Sequence, residues 1–102
     1  MITILFIGDV VGRSGREALA KNLPVAREKL KPDVVIVNGE NSAHGFGLTV
    51  EIVKEIYALG VDIITTGNHV WDQREIIPYI DRDPKLLRVI NLPAGAPGKG
   101  FY

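Results

Sequence analysis

The sequence predicts an α/β fold: an open, mainly parallel sheet with helices on both faces, in the order βαβαβαβ. Three observations predict it. Short β-branched runs recur at residues 2–7, 33–37, 61–66 and 86–90. Their near-continuous Val, Ile and Leu content suits central parallel strands covered on each side. The longer segments between them carry a helical period with recognisable starts and stops, and right-handed crossovers then align the strands in parallel.

The elements follow in order. After the first strand, Ser14 with Glu17 three residues later reads as a capping box, and Ala18, Leu19, Leu23, Ala26 and Leu30 form a helical stripe. Pro24 inside that stripe predicts a kink or a split. After the second strand, Thr49 is the expected N-cap of a helix whose apolar face is Ile52, Val53, Ile56 and Tyr57, with Gly60 as its stop. After the third, Asp72 and Glu75 read as a second capping box opening a short helix limited by Pro78. The last segment gathers Pro93, Gly95, Pro97, Gly98 and Gly100 before Phe101 and Tyr102. Two closing aromatics predict the start of a further strand, so residues 1–102 read as one domain, the N-terminal part of a longer one.

Composition narrows the function. With 12 Lys and Arg against 12 Asp and Glu, the net charge is zero, which removes the basic footprint that a long nucleic acid requires and leaves a small nucleotide admissible. The chain has no cysteine, so disulfides, thiolate metal sites and cysteine nucleophiles are excluded; any metal must take oxygen and nitrogen ligands, and the composition fits the cytoplasm. The apolar run 2–7 is broken by Gly8 and Asp9 and has no preceding Lys or Arg, which argues against a signal peptide or a membrane span.

In an open parallel sheet, ligands bind beyond the carboxyl ends of the strands. Gly8-Asp9 follows the first strand, Asn38-Gly39-Glu40-Asn41 the second, Gly67-Asn68-His69 the third and Asn91 the fourth. Asp9 alone is an ordinary turn former. Glu40-Asn41 is stronger, because a carboxylate directly after an apolar strand calls for a cation nearby. Asn68 can cap a turn and His69 can pack near Trp71. Together, two carboxylates, amides and an imidazole on one rim suggest an oxygen-rich site for manganese, iron or zinc rather than copper. Arg13 and Arg16 near the first strand end are candidates for steering an anion, or simply a solvated helix start. His44 reads as solvated, a substrate contact being the lesser reading.

These residues also carry a family resemblance. Ile7-Gly8-Asp9-Val10-Val11-Gly12-Arg13, Asn38-Gly39-Glu40-Asn41 with Gly45-Phe46-Gly47-Leu48-Thr49, Gly67-Asn68-His69-Val70-Trp71-Asp72, and Asn91-Leu92-Pro93 with Pro97-Gly98-Lys99-Gly100 closely resemble the YmdB-like branch of the calcineurin-type metallophosphoesterases. The resemblance implies a phosphodiesterase acting on cyclic nucleotides, 2′,3′-cyclic ones included, through two divalent metal ions. It implies that Asp9 binds the first metal, Glu40 bridges the two, Asn41 completes the first site, Asn68 binds the second, and His69 protonates the leaving oxygen. The wider superfamily has a His two residues after the first Asp and an Asp where Glu40 stands; this chain, like the branch, has neither. Members of the family are over twice as long, with three further histidine ligands downstream, whereas no histidine follows His69 here.

Two other readings stay open. Gly8, Gly12 and Gly15 around a strand-to-helix turn suit a phosphate-binding module without catalysis, although their spacing is not that of a dinucleotide fingerprint. Alternatively, these residues are an N-terminal half that cannot by itself hold two metals, with an unpaired sheet edge that favours a homo-oligomer.

Overall fold

The computed structural model describes all 102 residues. It contains β1 (Ile4–Ile7), α1 (Gly12–Leu30), β2 (Val34–Asn38), α2 (Val50–Ala58), β3 (Ile63–Thr65), α3 (Ile76–Ile80) and β4 (Leu86–Leu87). The strands form one sheet in the order β1-β2-β3-β4, every pair parallel. The open parallel α/β architecture is therefore as expected.

The placement of the helices is not. All three pack on one face. Ile7, Val37, Ile64 and Leu86 stand opposite one another across the sheet and, with Val35, meet Leu19 and Leu23 of α1, Ile52, Val53 and Ile56 of α2, and Ile76 and Ile80 of α3 in a single core. The alternate positions point the other way: Phe6, Ile36 and Ile63 share a row, and Ile4 and Phe6 remain 59% and 58% exposed. The reason is topological. Right-handed crossovers between strands laid down in chain order put every helix on the same side, and helices reach both sides only where the strand order reverses.

Local chemistry modifies several expected elements. Helix α1 runs unbroken through Pro24, and both Pro24 and Ala20, whose carbonyl a proline cannot serve, are exposed. It begins at Gly12, two residues before Ser14, without a side-chain cap; Glu17 pairs instead with Arg13. Of its expected stripe, Leu19 and Leu23 are buried, Ala18 and Ala26 line a groove beside edge strand β1, and Leu30 is exposed. Helix α2 follows the sequence closely, with the Thr49 hydroxyl accepting the Ile52 N–H at 3.2 Å and Gly60 taking a φ of +93° after its last turn. A Cβ at Gly60 would overlap the Arg27 guanidinium, which donates to the Gly60 carbonyl and ties the ends of α1 and α2 together.

Strand β4 stops after two residues, because the Arg88 N–H turns to the Lys99 carbonyl and Leu87 makes an isolated parallel bridge with Lys99. No strand opens at Phe101 and Tyr102, which are exposed. No helix is long and apolar enough to cross a membrane.

Candidate functional site

The carboxyl ends of β1, β2 and β3 deliver their following residues to one open cavity of about 420 Å³. Asp9, Glu40, Asn41, Asn68 and His69 all line it, together with Phe6, Gly8 and Asn38. Every metal-ligating or catalytic residue expected from the sequence is thus brought to one place. Asn91 is not, because β4 ends four residues before it and the chain turns away. Arg13 and Arg16 do not line the cavity either: each is held in an ion pair, with Glu17 at 3.0 Å and Glu55 at 3.1 Å. His44 is exposed, as expected of a solvated residue, and lies outside the cavity.

Backbone geometry explains how the loops converge. Asp9 has a φ of +44°, left-handed for a residue other than glycine, and Asp is among the few types that tolerate it. The two loops are then stapled together. The Val10 and Gly12 N–H groups donate to the Asn38 and Asn41 carbonyls at 3.2 and 3.0 Å, and the buried Ser42 hydroxyl donates to the Val10 carbonyl at 3.1 Å. The third strand end joins through the Gly39 N–H, which donates to the Thr65 carbonyl at 2.9 Å.

The side chains form a chain of contacts. Asn41 Nδ2 donates to Asp9 Oδ1 at 2.6 Å, which leaves Asn41 Oδ1 buried without a partner. Asn38 Nδ2 lies 3.4 Å from Glu40 Oε1, and Asn38 Oδ1 is likewise buried and unpartnered. Two orphaned amide oxygens next to two carboxylates match the donor set of a hard cation, since a buried acceptor without a partner is costly. A Cβ at Gly67 would overlap the Glu40 carboxylate, so a larger residue there would push that carboxylate aside. His69 Nδ1 is 2.7 Å from Asp72 Oδ2, and the Phe46 ring stands edge-on to the imidazole at a centroid distance of 5.6 Å. Although Asp9, Glu40 and His69 share the cavity, no three His, Asp or Glu side chains are grouped so as to hold one ion by themselves, so the unpartnered amide oxygens are the further donors the site offers.

A family profile described as YmdB-like protein matches residues 5–102. The chain belongs to the YmdB-like family. Among relatives of this YmdB-like chain, a Bacillus subtilis protein named 2′,3′-cyclic-nucleotide 2′-phosphodiesterase is 52% identical over 98 residues, covering 96% of this chain and 37% of its own length. Two crystal structures share the fold: a hypothetical protein from Thermus thermophilus (TM-score 0.91, 40% identity, 99% of this chain and 39% of that one) and a phosphatase from Mycoplasma pneumoniae (TM-score 0.90, 36% identity, 97% and 37%). The YmdB-like chain thus spans less than two fifths of the length of these relatives.

In three places the structure assigns a role that the sequence did not. Asn38 was expected on the rim after the second strand, but its contact with Glu40 appears only in the structure. Ser42 carries no motif; its role exists only once Val10 is brought beside it. Asp72 and Glu75 have capping-box spacing, yet neither caps α3: Asp72 meets His69, and Glu75 Oε1 accepts the Val50 N–H at 2.7 Å.

Proposed function

We propose that this chain is the metal-binding N-terminal portion of a cytoplasmic phosphodiesterase that hydrolyses cyclic nucleotides, the 2′,3′-cyclic class first. The observation that carries the proposal is the meeting of Asp9, Glu40, Asn41, Asn68 and His69 in one cavity, with Asn41 Oδ1 buried and unpartnered there. The name of the Bacillus subtilis relative supports the substrate class. Asp9 and Asn41 would hold one divalent cation, Asn68 a second, and Glu40 would bridge the pair. Manganese and iron suit this oxygen-dominated set better than zinc. When bound, such ions neutralise phosphoryl oxygens and make water a competent nucleophile near neutral pH.

The protein's own groups have separate tasks. Asn38 orients the Glu40 carboxylate through its amide, and Gly67 leaves room for that carboxylate against the backbone. His69 gives a proton to the sugar oxygen as its bond to phosphorus breaks, a contribution of about 10²- to 10⁴-fold. In the cyclic substrate that oxygen stays attached to the sugar, so the product is a phosphomonoester. With two carboxylates and one imidazole, the 102 residues alone are a weak cation site that turns over little, and the remaining ligands come from further chain.

The test uses a chain of the relatives' length loaded with manganese or iron. Glu40→Gln should lower turnover of a 2′,3′-cyclic nucleotide by at least about tenfold, the scale of a perturbed metal site; undiminished turnover overturns the bridging role. His69→Ala should keep the metal and lose rate.

A further inference from the structure

The loop between β2 and α2 turns on three left-handed residues: His44 at a φ of +55°, Gly45 at +86° and Gly47 at +76°. Its backbone is tied on both sides of Phe46. The Ala43 N–H donates to the Gly47 carbonyl at 2.9 Å and the Phe46 N–H to the Ala43 carbonyl at 2.8 Å, while Gln73 Nε2 donates to the Phe46 carbonyl at 2.9 Å. Gly47 lies so close to the next loop that a Cβ there would meet the His69 carbonyl at 2.9 Å. Ala43 and Leu48 go into the core, yet Phe46 between them is 57% exposed. A strained, hydrogen-bonded loop thus holds an apolar ring in water. The exposure of Phe6 has another origin, since Phe6 belongs to the apolar row of the sheet's open face. Phe46 stands apart from that row, against the site: its ring centroid is 5.6 Å from that of the His69 imidazole, with the planes at 80°.

We propose that Phe46 is a specificity-determining residue whose ring stacks on the nucleobase of the substrate. The phosphate belongs over the oxygen donors of Asp9, Glu40 and Asn41, and the leaving sugar oxygen at His69. The base, carried by the same sugar, then lies on the rim beside His69, where Phe46 stands. A flat ring fixed in advance accepts a base through its π face, a contact that strengthens binding by about 5- to 150-fold. The inference rests on the phosphodiesterase reading for the identity of the ligand, but its test measures binding rather than turnover, so the two can fail separately.

The experiment is calorimetry on a manganese-loaded chain of the relatives' length, with two phosphomonoesters that are not consumed. One is adenosine 3′-monophosphate; the other is methyl riboside 3-phosphate, in which a methoxy group replaces the base. The wild type should bind the nucleotide more tightly by at least about fivefold. Phe46→Ala should bring the two affinities together by weakening the nucleotide alone, with the urea midpoint of an exposed-site variant, close to that of the wild type. Phe46→Tyr, which keeps an aromatic face, should restore the discrimination. A wild type that binds both ligands equally, or neither, overturns the proposal. So does a Phe46→Ala chain that keeps the discrimination or weakens both ligands alike, and so does a Phe46→Tyr chain that loses as much as Phe46→Ala. Discrimination by Phe46 in a chain that turns over no cyclic nucleotide would sink the phosphodiesterase reading alone.

Discussion

The two faces of the sheet are built from the same strands and almost the same residue types, yet they have opposite fates. On one face, Val35, Val37, Ile64 and Leu86 are at most 2% exposed beneath three helices. On the other, Ile4 and Phe6 are more than half exposed and Ile36 and Ile63 only partly covered. Apolar character therefore decides that a residue can be buried, and connectivity decides whether anything arrives to bury it. The carboxyl-end rim lies between these faces, and its order comes from hydrogen bonds rather than from apolar packing.

The contrast can be broken most severely on the covered face. Ile64→Ala, at a fully buried central position, should cost about 2–5 kcal/mol in urea unfolding. A loss below about 1 kcal/mol would mean that the core relaxes around the gap.

At the rim, Gly67→Ala should push the Glu40 carboxylate from its place. Manganese affinity by calorimetry should fall by about 10- to 100-fold, the range for disturbed ligand support, with the fold retained by circular dichroism. Unchanged affinity would separate Glu40 from the metal.

A third test concerns the α2–α3 contact, where Tyr57 and Tyr79 both donate to Asp83, each at 3.1 Å. Burial, followed by the Asp83 charge and hydrogen bond, pushes Tyr79 up to about 12 and Tyr57 higher still. The folded state thus holds protons that the unfolded chain releases near pH 10, so the stabilisation is complete below that pH. It is lost as pH rises from about 10 through 12. Tyr79→Phe should flatten that alkaline loss, measured as urea midpoint against pH; an identical profile would remove the tyrosine from the account.

On the open face, Phe6→Ser should change monomer stability by no more than about 0.5 kcal/mol, as for other exposed sites. Self-association, which this apolar face and the unpaired β1 edge favour, should weaken measurably in sedimentation equilibrium. A wild-type chain that stays monomeric at high concentration would count against that surface as an associating one.

Much of the fold was legible because its signals are local. Thr49 capping α2 and Gly60 stopping it depend on a few neighbouring residues, and the structure keeps both. Pro24 misled because its effect depends on its surroundings in the fold, and Pro24 and Ala20 both lie on the exposed side of α1. Asp72 and Glu75 misled for a related reason: spacing shows that a cap is possible, while the competing partners, His69 and Val50, lie 3 and 25 residues away.

By itself, the sequence determined four strand-forming runs, the helical periods between them, and the polar residues that follow each strand, because these are set by side-chain type and spacing along the chain. Only the tertiary structure decided that all helices share one face, that Asn91, Arg13 and Arg16 stay outside the cavity, and that Asn38, Ser42 and Asp72 support it. Those outcomes depend on strand order and on which donor meets which acceptor across tens of residues, and such pairings exist only once the chain has closed on itself.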